Sequence, residues 1–355
     1  MLMQMTNEFE VRLVLKALSP LLIKDGRYSK EQREDWGRGL REEARKAMPS
    51  MLPISRASDD VLRGAVTAPD PRSAVERLAF FIPGSSLRGA WRSHLERILR
   101  GISPPGKMRV CDPFEESDLT RDSCSNYATR FRDAVERLPN GTKRPPVVPY
   151  TLACPVCKLF GHTTQAGRLK ITDGERIKPN EGAIIAREHV RIDRASGQVA
   201  PHALFKVFGL QGASFETRMH LRNFELWHLQ LINALLSELV RGVVPLGSGK
   251  NKGYGRVECS VLEIRLTAFG LEKPPDQLQG VAEHATSGAW HQQRYGLKPA
   301  ESVPALRSGR WSQVTPWRWE RALDAGEFGD MWKERKLPWG QFIPLADRPM
   351  PGAQG

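Results

Sequence analysis

Four cysteines along the chain have the side-chain chemistry of a metal site: Cys111, Cys124, Cys154 and Cys157. The last two form a Cys-x-x-Cys pair whose thiolates can bind one tetrahedral metal ion, and the first two can complete four ligands. His162 follows the pair by five residues and is a substitute ligand. A redox function is disfavoured because the pair does not open a helix in a thioredoxin-like unit. A structural zinc ion is therefore predicted, with unligated thiols as the alternative, and Cys259 is predicted to be a core residue of a strand.

A second set of residues with recognisable chemistry is the glycine-rich, basic segment 246–256, whose sequence is LGSGKNKGYGR. Its glycines allow the backbone to approach phosphate groups without interference from side chains. Lysine and arginine supply positive charge, and the tyrosine ring offers a surface on which a base can stack. The predicted nucleic-acid-binding residues of this segment are Lys250, Asn251, Lys252, Tyr254 and Arg256. The alternative is an ordinary hairpin loop with solvated lysines.

A third feature is segment 79–92, where an apolar strand end meets a Pro-Gly turn and a helix follows. Ser85 and Ser86 are predicted to cap that helix by accepting hydrogen bonds from its free amides. Arg88 and Arg92 lie one helical turn apart. Free amides, the positive end of the helix dipole and a guanidinium group together predict a phosphate-binding site.

The overall charge agrees with a polyanionic partner. Among 355 residues, 53 lysines and arginines exceed 40 aspartates and glutamates, which gives a net charge of +13. A protein this basic most often binds nucleic acid, although a merely basic surface is the alternative. No apolar run approaches the roughly 20 residues that cross a bilayer, and the first residues lack the pattern of a signal peptide. A cytoplasmic protein without a membrane partner is expected.

The rest of the sequence predicts the elements that hold these residues in place. Alternating apolar residues in Phe9–Leu15 predict a half-buried strand, and Leu87–Leu99 carries the apolar face of a helix. A second apolar helix is predicted at Phe224–Val240 with Asn223 as its cap, and a phase shift after Val261 predicts a bulge in the last strand. The order of these elements is that of an α+β fold with a ferredoxin-like or RRM-like core.

Four segments, in this order, resemble the RAMP superfamily of CRISPR type III effector complexes, and specifically the backbone subunit that lines the guide RNA. They are FIPGSSLRG (81–89), CPVCKLFG (154–161), VRIDR (190–194) with ALF (203–205), and LGSGKNKGYGRV (246–257). The resemblance covers about residues 8–266, and a type III-D-like complex is one candidate subtype.

This resemblance implies a domain organisation. A RAMP domain is expected at residues 1–266, with insertions at about 28–77 and 106–150 and a thumb hairpin at about 187–220. The charged first insertion is longer than the usual loop of the family, and the second insertion contains two of the predicted zinc ligands. Residues 267–355 contain six of the nine tryptophans and form a Trp-rich C-terminal extension without a counterpart in the family.

The function implied by the resemblance is binding of guide crRNA and cleavage of paired target RNA, in a complex with other CRISPR effector subunits. In the family the thumb displaces a base, after which the adjacent ribose 2′-OH can attack its phosphate in line. Arg191 and Arg194 are expected to contact RNA from the thumb. Lys24 and Arg27 are expected to contact it from the loop after the first strand.

Asp25 is the predicted catalytic residue, because it lies in the loop where the family carries its cleavage aspartate. Asp59, Asp60 and Asp70 are alternatives in the first insertion, and a divalent cation, Mg or Mn, is expected to assist cleavage. Asp25 can instead merely begin a turn with Gly26. Two other functions stay open: a non-catalytic structural subunit of the same complex, and a guide-processing endoribonuclease, which is disfavoured because no catalytic histidine is evident.

Overall fold

The computed structural model describes residues 5–114, 123–136, 149–200, 204–284, 295–297, 306 and 310–348. They form a mixed α/β structure around an eight-stranded sheet in which every described strand pairing is antiparallel. Within these residues, no helix combines the length and the hydrophobicity needed to cross a membrane.

Twelve strands and eleven helices are named here for the described residues. The strands are β1 (Asn7–Ala17), β2 (Phe81–Ile82), β3 (Gly161–His162), β4 (Gln165–Ala166), β5 (Leu169–Ile171), β6 (Gly174–Arg176), β7 (Ala183–His189), β8 (Phe205–Gln211), β9 (Ser214–Arg222), β10 (Val257–Phe269), β11 (Ser312–Thr315) and β12 (Arg318–Leu323). The helices are α1 (Lys30–Trp36), α2 (Glu42–Ala47), α3 (Asp59–Val66), α4 (Pro71–Glu76), α5 (Gly84–Gly101), α6 (Cys124–Glu136), α7 (Pro149–Leu152), α8 (Pro155–Phe160), α9 (Leu226–Val240), α10 (Val281–His284) and α11 (Ala325–Asp330).

β1 lies inside the sheet, between β9 and β10, in the order β11–β12–β10–β1–β9–β6–β2, with β5 also paired to β9. Its alternate side chains are buried, as the sequence pattern predicted. The predicted bulge is also present in β10. Leu262 is the extra residue there, because Val261 pairs with Leu13 whereas Glu263 pairs with Arg12.

The start of α5 differs from the prediction. The helix begins at Gly84 with Pro83 as its N-cap, so Ser85 and Ser86 lie inside the first turn and do not cap it. A carboxylate from the connection between β5 and β6 takes the capping position instead. The backbone N–H of Gly84 donates to Asp173 Oδ1 at 2.8 Å.

The start of α9 also differs from the prediction. Its N-cap is Glu225, which forms a capping box with His228. Asn223 lies further upstream with a φ of +48°, and its side chain accepts a hydrogen bond from the backbone N–H of Thr6 at 2.9 Å. The asparagine therefore joins the approach to α9 to the start of β1.

The charged segment 28–77 contains four short helices, α1 to α4, in agreement with the partly helical insertion expected there. It is not wholly exposed, since Tyr28, Trp36 and Leu62 belong to the main hydrophobic core. The segment thus packs on the main core, and backbone hydrogen bonds of Leu52 and Ile54 join it to the loop after β1.

The chain after residue 266 continues the main sheet. β10 runs on to Phe269, and its residues Ile264–Phe269 pair with β12. α11 contributes Phe328 to the main core, where its ring stacks on that of Phe9 at a centroid distance of 5.0 Å. The described part of the Trp-rich segment is therefore built into the same core as β1.

Candidate nucleic-acid interface and metal centre

The glycine-rich loop 246–256 has a conformation that requires its glycines. Gly247, Gly249, Gly253 and Gly255 all have φ between +76° and +78°, and a 3₁₀ turn, Lys250–Lys252, lies between the second and third of them. A Cβ atom at Gly247 would collide with the carbonyl group of Leu22, and one at Gly255 with that of Leu246. Glycine is needed here both for the left-handed backbone and for close approach of neighbouring chain segments.

This close approach joins the glycine-rich loop to the segment that follows β1. The N–H of Ser248 donates to the carbonyl oxygen of Leu22 at 2.7 Å, and that of Gly255 donates to Pro20 at 3.0 Å. The exposed cations of the two loops thereby come to one side of the molecule. Of the residues predicted from sequence, Lys24, Arg27, Lys250, Asn251, Lys252 and Arg256 are exposed.

Tyr254 has a different environment from the one predicted. Its side chain is buried, with 2% of its surface exposed, so its ring does not offer an open face for base stacking. The Tyr254 hydroxyl shares a hydrogen bond of 2.8 Å with His189 Nε2, and the Arg187 guanidinium lies 5.2 Å from the ring centroid. The tyrosine fixes the glycine-rich loop against the hairpin of β7 and β8.

That hairpin forms a two-stranded sheet, and the predicted Arg191 and Arg194 lie in the connection after β7, both exposed to solvent. Ile192 pairs with Val199 across the turn, and the Asp193 carboxylate accepts hydrogen bonds from the following backbone amides. Apolar side chains around the turn are also exposed; they are Val190, Ile192, Val199 and Leu204.

Asp25 is buried and paired. Arg27 donates to both carboxylate oxygens of Asp25, through Nε at 3.0 Å and Nη2 at 2.7 Å, in a bidentate contact. The same guanidinium reaches Asp59 Oδ1 at 3.3 Å. One arginine thus joins the first candidate aspartate to the second, and Asp59 keeps 71% of its side chain exposed.

The other two candidate aspartates lie apart from this contact. Asp60 is exposed in the first turn of α3. Asp70 is the N-cap of α4, where its carboxylate accepts from the N–H of Ser73, and hydrogen bonds with the serine lower the pKa of Asp70. Its contacts are those of a helix cap.

The first turn of α5 is occupied rather than open. Asp173 accepts from the Gly84 amide, and Arg56 binds the second oxygen of Asp173 at 2.9 Å. Arg88 is half-buried and points toward the carbonyl oxygen of Leu169, at 3.4 Å. A phosphate at this helix start would have to displace a carboxylate that already holds the position.

The solvent-facing side of the central strands is charged but internally paired. Arg12 on β1 binds Glu216 on β9 and Glu263 on β10, each at 3.2 Å, and Glu8 binds Arg222 at 2.6 Å. Such pairing leaves this side of the sheet with little excess positive charge. Among the described residues, the exposed cations predicted from sequence, such as Lys250, Lys252 and Arg191, lie instead on the loops and the hairpin.

The four predicted metal ligands come together in a second, separate place. The Sγ atoms of Cys111, Cys124, Cys154 and Cys157 all lie within 4.8 Å of one another, and all four side chains are buried. Cys111 Sγ is 3.7 Å from the sulfur atoms of both Cys154 and Cys157. This cluster can hold a metal ion such as zinc, which prefers four tetrahedral thiolates in structural sites.

Local structure explains how the chain brings the sulfur atoms together. Cys154 is the N-cap of α8, with Pro155 in the first helical position, so Cys157 lies one turn along the same helix. The pair does therefore begin a short helix, contrary to the expectation from sequence. Backbone amides point at the sulfurs, since the N–H of Cys154 donates to Cys124 Sγ at 3.2 Å. The substitute ligand His162 is not part of the four-sulfur group and its Nδ1 contacts Thr164 instead.

Two arginines contact the cluster from outside. Arg92 Nη2 donates to Cys157 Sγ at 3.2 Å, and Arg348 Nη2 donates to Cys124 Sγ at 3.0 Å. Burial opposes ionisation of Cys124, but the neighbouring thiols and Arg348 lower the pKa of this thiol well below its ordinary value. Four thiolates around Zn²⁺ carry two net negative charges, which two guanidinium groups balance.

Sequence reasoning missed the second role of Arg92 and the whole role of Arg348. Arg92 was predicted to bind phosphate, yet its three guanidinium nitrogens donate to Glu96, Gly161 and Cys157. No sequence signal connects Arg348 to a cysteine 224 positions earlier. His189 and Phe205 were also missed as neighbours of Tyr254, although their places at the facing ends of β7 and β8 offered a clue.

The sequence model of the RAMP superfamily matches residues 14–258, well over half of the chain. The matched range includes the glycine-rich loop, the hairpin and all four clustered cysteines. No curated protein matches the chain.

Proposed function

Because this chain belongs to the RAMP superfamily, we propose that it is a guide-RNA-binding backbone subunit of a CRISPR effector complex. The observation that carries the proposal is the joining of two basic loops, at residues 20–27 and 246–256, by backbone hydrogen bonds from Ser248 to Leu22 and from Gly255 to Pro20. Exposed lysines and arginines on two loops that lie side by side are suited to bind the phosphates of RNA, and such contacts do not depend on the RNA sequence. A type III complex, in agreement with the sequence resemblance, is the specific assembly that we propose.

The hairpin of β7 and β8 supports this proposal as the thumb of a ferredoxin-like domain. It projects beside the glycine-rich loop and carries exposed arginines together with exposed apolar side chains, such as Ile192. Arginine can bind phosphate, while apolar side chains can insert between bases. The clustered cysteines serve as a structural metal site, since four thiolates leave no open position for substrate.

The test of RNA binding is a triple substitution in the glycine-rich loop, Lys250→Ala/Lys252→Ala/Arg256→Ala. It should weaken binding to single-stranded RNA and reduce the slope of log K against log salt by about 2, since each lost phosphate contact removes about 0.7. Titration of labelled oligouridine at several salt concentrations measures both quantities.

A matched control removes the same charge elsewhere. Lys273, Lys333 and Lys336 are exposed cations in the segment after β10. Lys273 lies beyond the far end of this 13-residue strand, about 40 Å from the loop. The control triple alanine variant should bind RNA almost as the wild type does. Equal losses in both triple variants would mean that only the overall charge matters, and would remove the loop from the RNA site.

Cleavage of paired target RNA is a second candidate function, and the contact of Arg27 with both Asp25 and Asp59 favours it. Two carboxylates joined by one guanidinium lie beside the proposed RNA-binding loops. The exposed Asp59 carboxylate can bind a divalent cation, Mg or Mn, while Asp25 orients the guanidinium group of Arg27. Attack by the target's own 2′-OH would leave a 2′,3′-cyclic phosphate and a 5′-hydroxyl.

Three isosteric variants test this candidate in the assembled complex with complementary labelled RNA. Asp25→Asn and Asp59→Asn should each lower the cleavage rate by at least tenfold while guide binding persists. Asp70→Asn is the control, because the Asp70 carboxylate caps α4 by accepting from Ser73 and is not bound to Arg27. Full cleavage by the first two variants would leave the non-catalytic backbone subunit as the function.

A further inference from the structure

A cavity of about 160 Å³ lies where the loop after β1, the facing ends of β7 and β8, and the glycine-rich loop meet. Its buried apolar residues, Leu22, Val207 and Tyr254, form a small cluster that is separate from the main core. The volume is well below the roughly 300–1,000 Å³ of pockets that hold drug-sized ligands. The cavity therefore suits a single ring system.

The cavity has an aromatic wall. The ring of His189 stacks on that of Phe205, with centroids 5.3 Å apart and planes inclined by 24°. Tyr254 supports the same imidazole through the hydrogen bond to its Nε2. Burial and the nearby cations Lys252 and Arg187 lower the pKa of His189, so the imidazole is neutral near pH 7. A neutral, flat aromatic surface of this kind stacks on a nucleobase.

The rim of the cavity is basic. Lys24 and Lys252 both line it, and Lys252 Nζ lies 5.3 Å from the centroid of the Phe205 ring. Among the described residues that line the cavity, none is acidic. An apolar, aromatic interior does not suit a phosphate, whereas cations at the rim suit the phosphates on either side of an inserted base.

We infer that this cavity is a binding site for one unpaired nucleobase of an RNA strand, stacked on Phe205 and His189 and held by Lys24 and Lys252 through its flanking phosphates. The inference rests on the proposed RNA-binding function and adds a base subsite to it. Single-stranded RNA is commonly recognised in this way, with an unstacked base on an aromatic side chain.

The experiment compares oligouridine with an oligomer of the same length in which every base is absent. The two RNAs carry the same phosphates, so their difference in affinity measures base contacts. Wild-type protein should bind oligouridine about tenfold more tightly than the abasic oligomer. Phe205→Ala should remove about tenfold in affinity for oligouridine and cause no further loss for the abasic oligomer.

Two further variants serve as controls. Phe205→Tyr keeps an aromatic ring and should retain the preference for oligouridine. Phe114→Ala removes a phenylalanine that is 89% exposed and does not line the cavity, and should bind both RNAs as the wild type does. A loss in Phe205→Ala that is equal for both RNAs, or no loss at all, would overturn the base subsite.

Failure of the subsite can be told from failure of the proposed function. If the wild type binds both RNAs equally and the Lys250→Ala/Lys252→Ala/Arg256→Ala variant binds neither, RNA binding stands and the base subsite is wrong. If the wild type binds neither RNA, the proposed function itself is wrong. Should Phe205→Ala fail to fold, photocrosslinking of wild type to 4-thiouridine RNA decides: crosslinks at Phe205 or His189 support the subsite, and crosslinks confined to other segments overturn it.

Discussion

His228 lies fully buried in α9, where its Nδ1 accepts a hydrogen bond from the backbone N–H of Glu225 at 3.0 Å. Its Nε2 has no hydrogen-bond partner among the described residues. Burial, together with the cations of Arg168 and Lys158, lowers the pKa of His228 well below its ordinary value. The imidazole therefore stays neutral in the folded protein at pH values where the unfolded chain would protonate it.

This difference makes stability depend on pH. As the pH falls below about 6.5, the unfolded state gains a proton at His228 that the folded state does not, so the free energy of unfolding decreases. His228→Gln keeps an acceptor for the capping box but cannot titrate. We expect the wild type to lose about 1.4 kcal/mol more than this variant per pH unit below 6.5.

Urea unfolding at intervals from pH 8 to pH 5 measures the effect. Above pH 7 the histidine is neutral in both states. The free energies of unfolding of wild type and variant should therefore change in parallel with pH above 7 and diverge only at lower pH. Parallel curves over the whole range would mean that His228 is not the group whose protonation lowers stability.

Individual residues also show which features of the site could be predicted from the sequence and which could not. The Cys-x-x-Cys pair and the glycine-rich loop have local signals, because their chemistry depends on neighbours within a few positions. The burial of the Asp25 carboxylate and the burial of the Tyr254 ring have no such signal. Both depend on which distant segments pack around them, which sequence spacing does not reveal.

At the scale of elements, β1, the bulge in β10 and the body of α5 followed from periodicity alone. The helix starts did not. Asp173 caps α5 from 89 positions away, so no local pattern could replace Ser85 and Ser86 as predicted caps. Helix interiors are determined by their own apolar face, whereas their ends take any suitable polar group nearby.

The cysteine cluster is an arrangement of elements that meet only in the folded chain. Cys111 lies in the segment after α5, Cys124 begins α6, Cys154 is the N-cap of α8 and Cys157 lies on α8. A metal ion held by all four would therefore stabilise the packing of these elements, since the unfolded chain has no preformed site.

We expect one zinc ion per chain in protein purified without chelator, measured by elemental analysis. Cys154→Ser/Cys157→Ser should lose the metal and unfold at a lower temperature. Cys259→Ser is the matched control, because Cys259 is also buried but lies on β10 outside the cluster. Metal retention in the double variant, or equal metal loss in the control, would contradict the assignment of these ligands.

At the scale of the whole molecule, the last described residues return to the cysteine cluster. Leu345 donates its backbone N–H to Met108 at 2.8 Å, and the Phe342 carbonyl oxygen accepts from Arg109 at 2.9 Å. Arg348 then reaches Cys124, with its guanidinium 5.0 Å from the Tyr127 ring. The C-terminal segment is thus fastened over the proposed metal site, although it lies outside the range matched by the family.

This arrangement predicts reciprocal coupling between the metal and the C-terminal segment. Arg348→Ala removes a buried donor to a thiolate, and loss of such a partner typically costs ten- to hundredfold in metal affinity. Chelator competition should therefore show affinity for zinc reduced by roughly that factor. Conversely, removal of zinc from the wild type should raise hydrogen exchange at residues 342–348, because linkage acts in both directions.

Arg310→Ala, at an exposed arginine of the same segment, is the control and should change neither the affinity for zinc nor the hydrogen exchange. Unchanged zinc affinity in Arg348→Ala, with residues 342–348 still protected, would mean that the arginine packs beside the cluster without stabilising its metal.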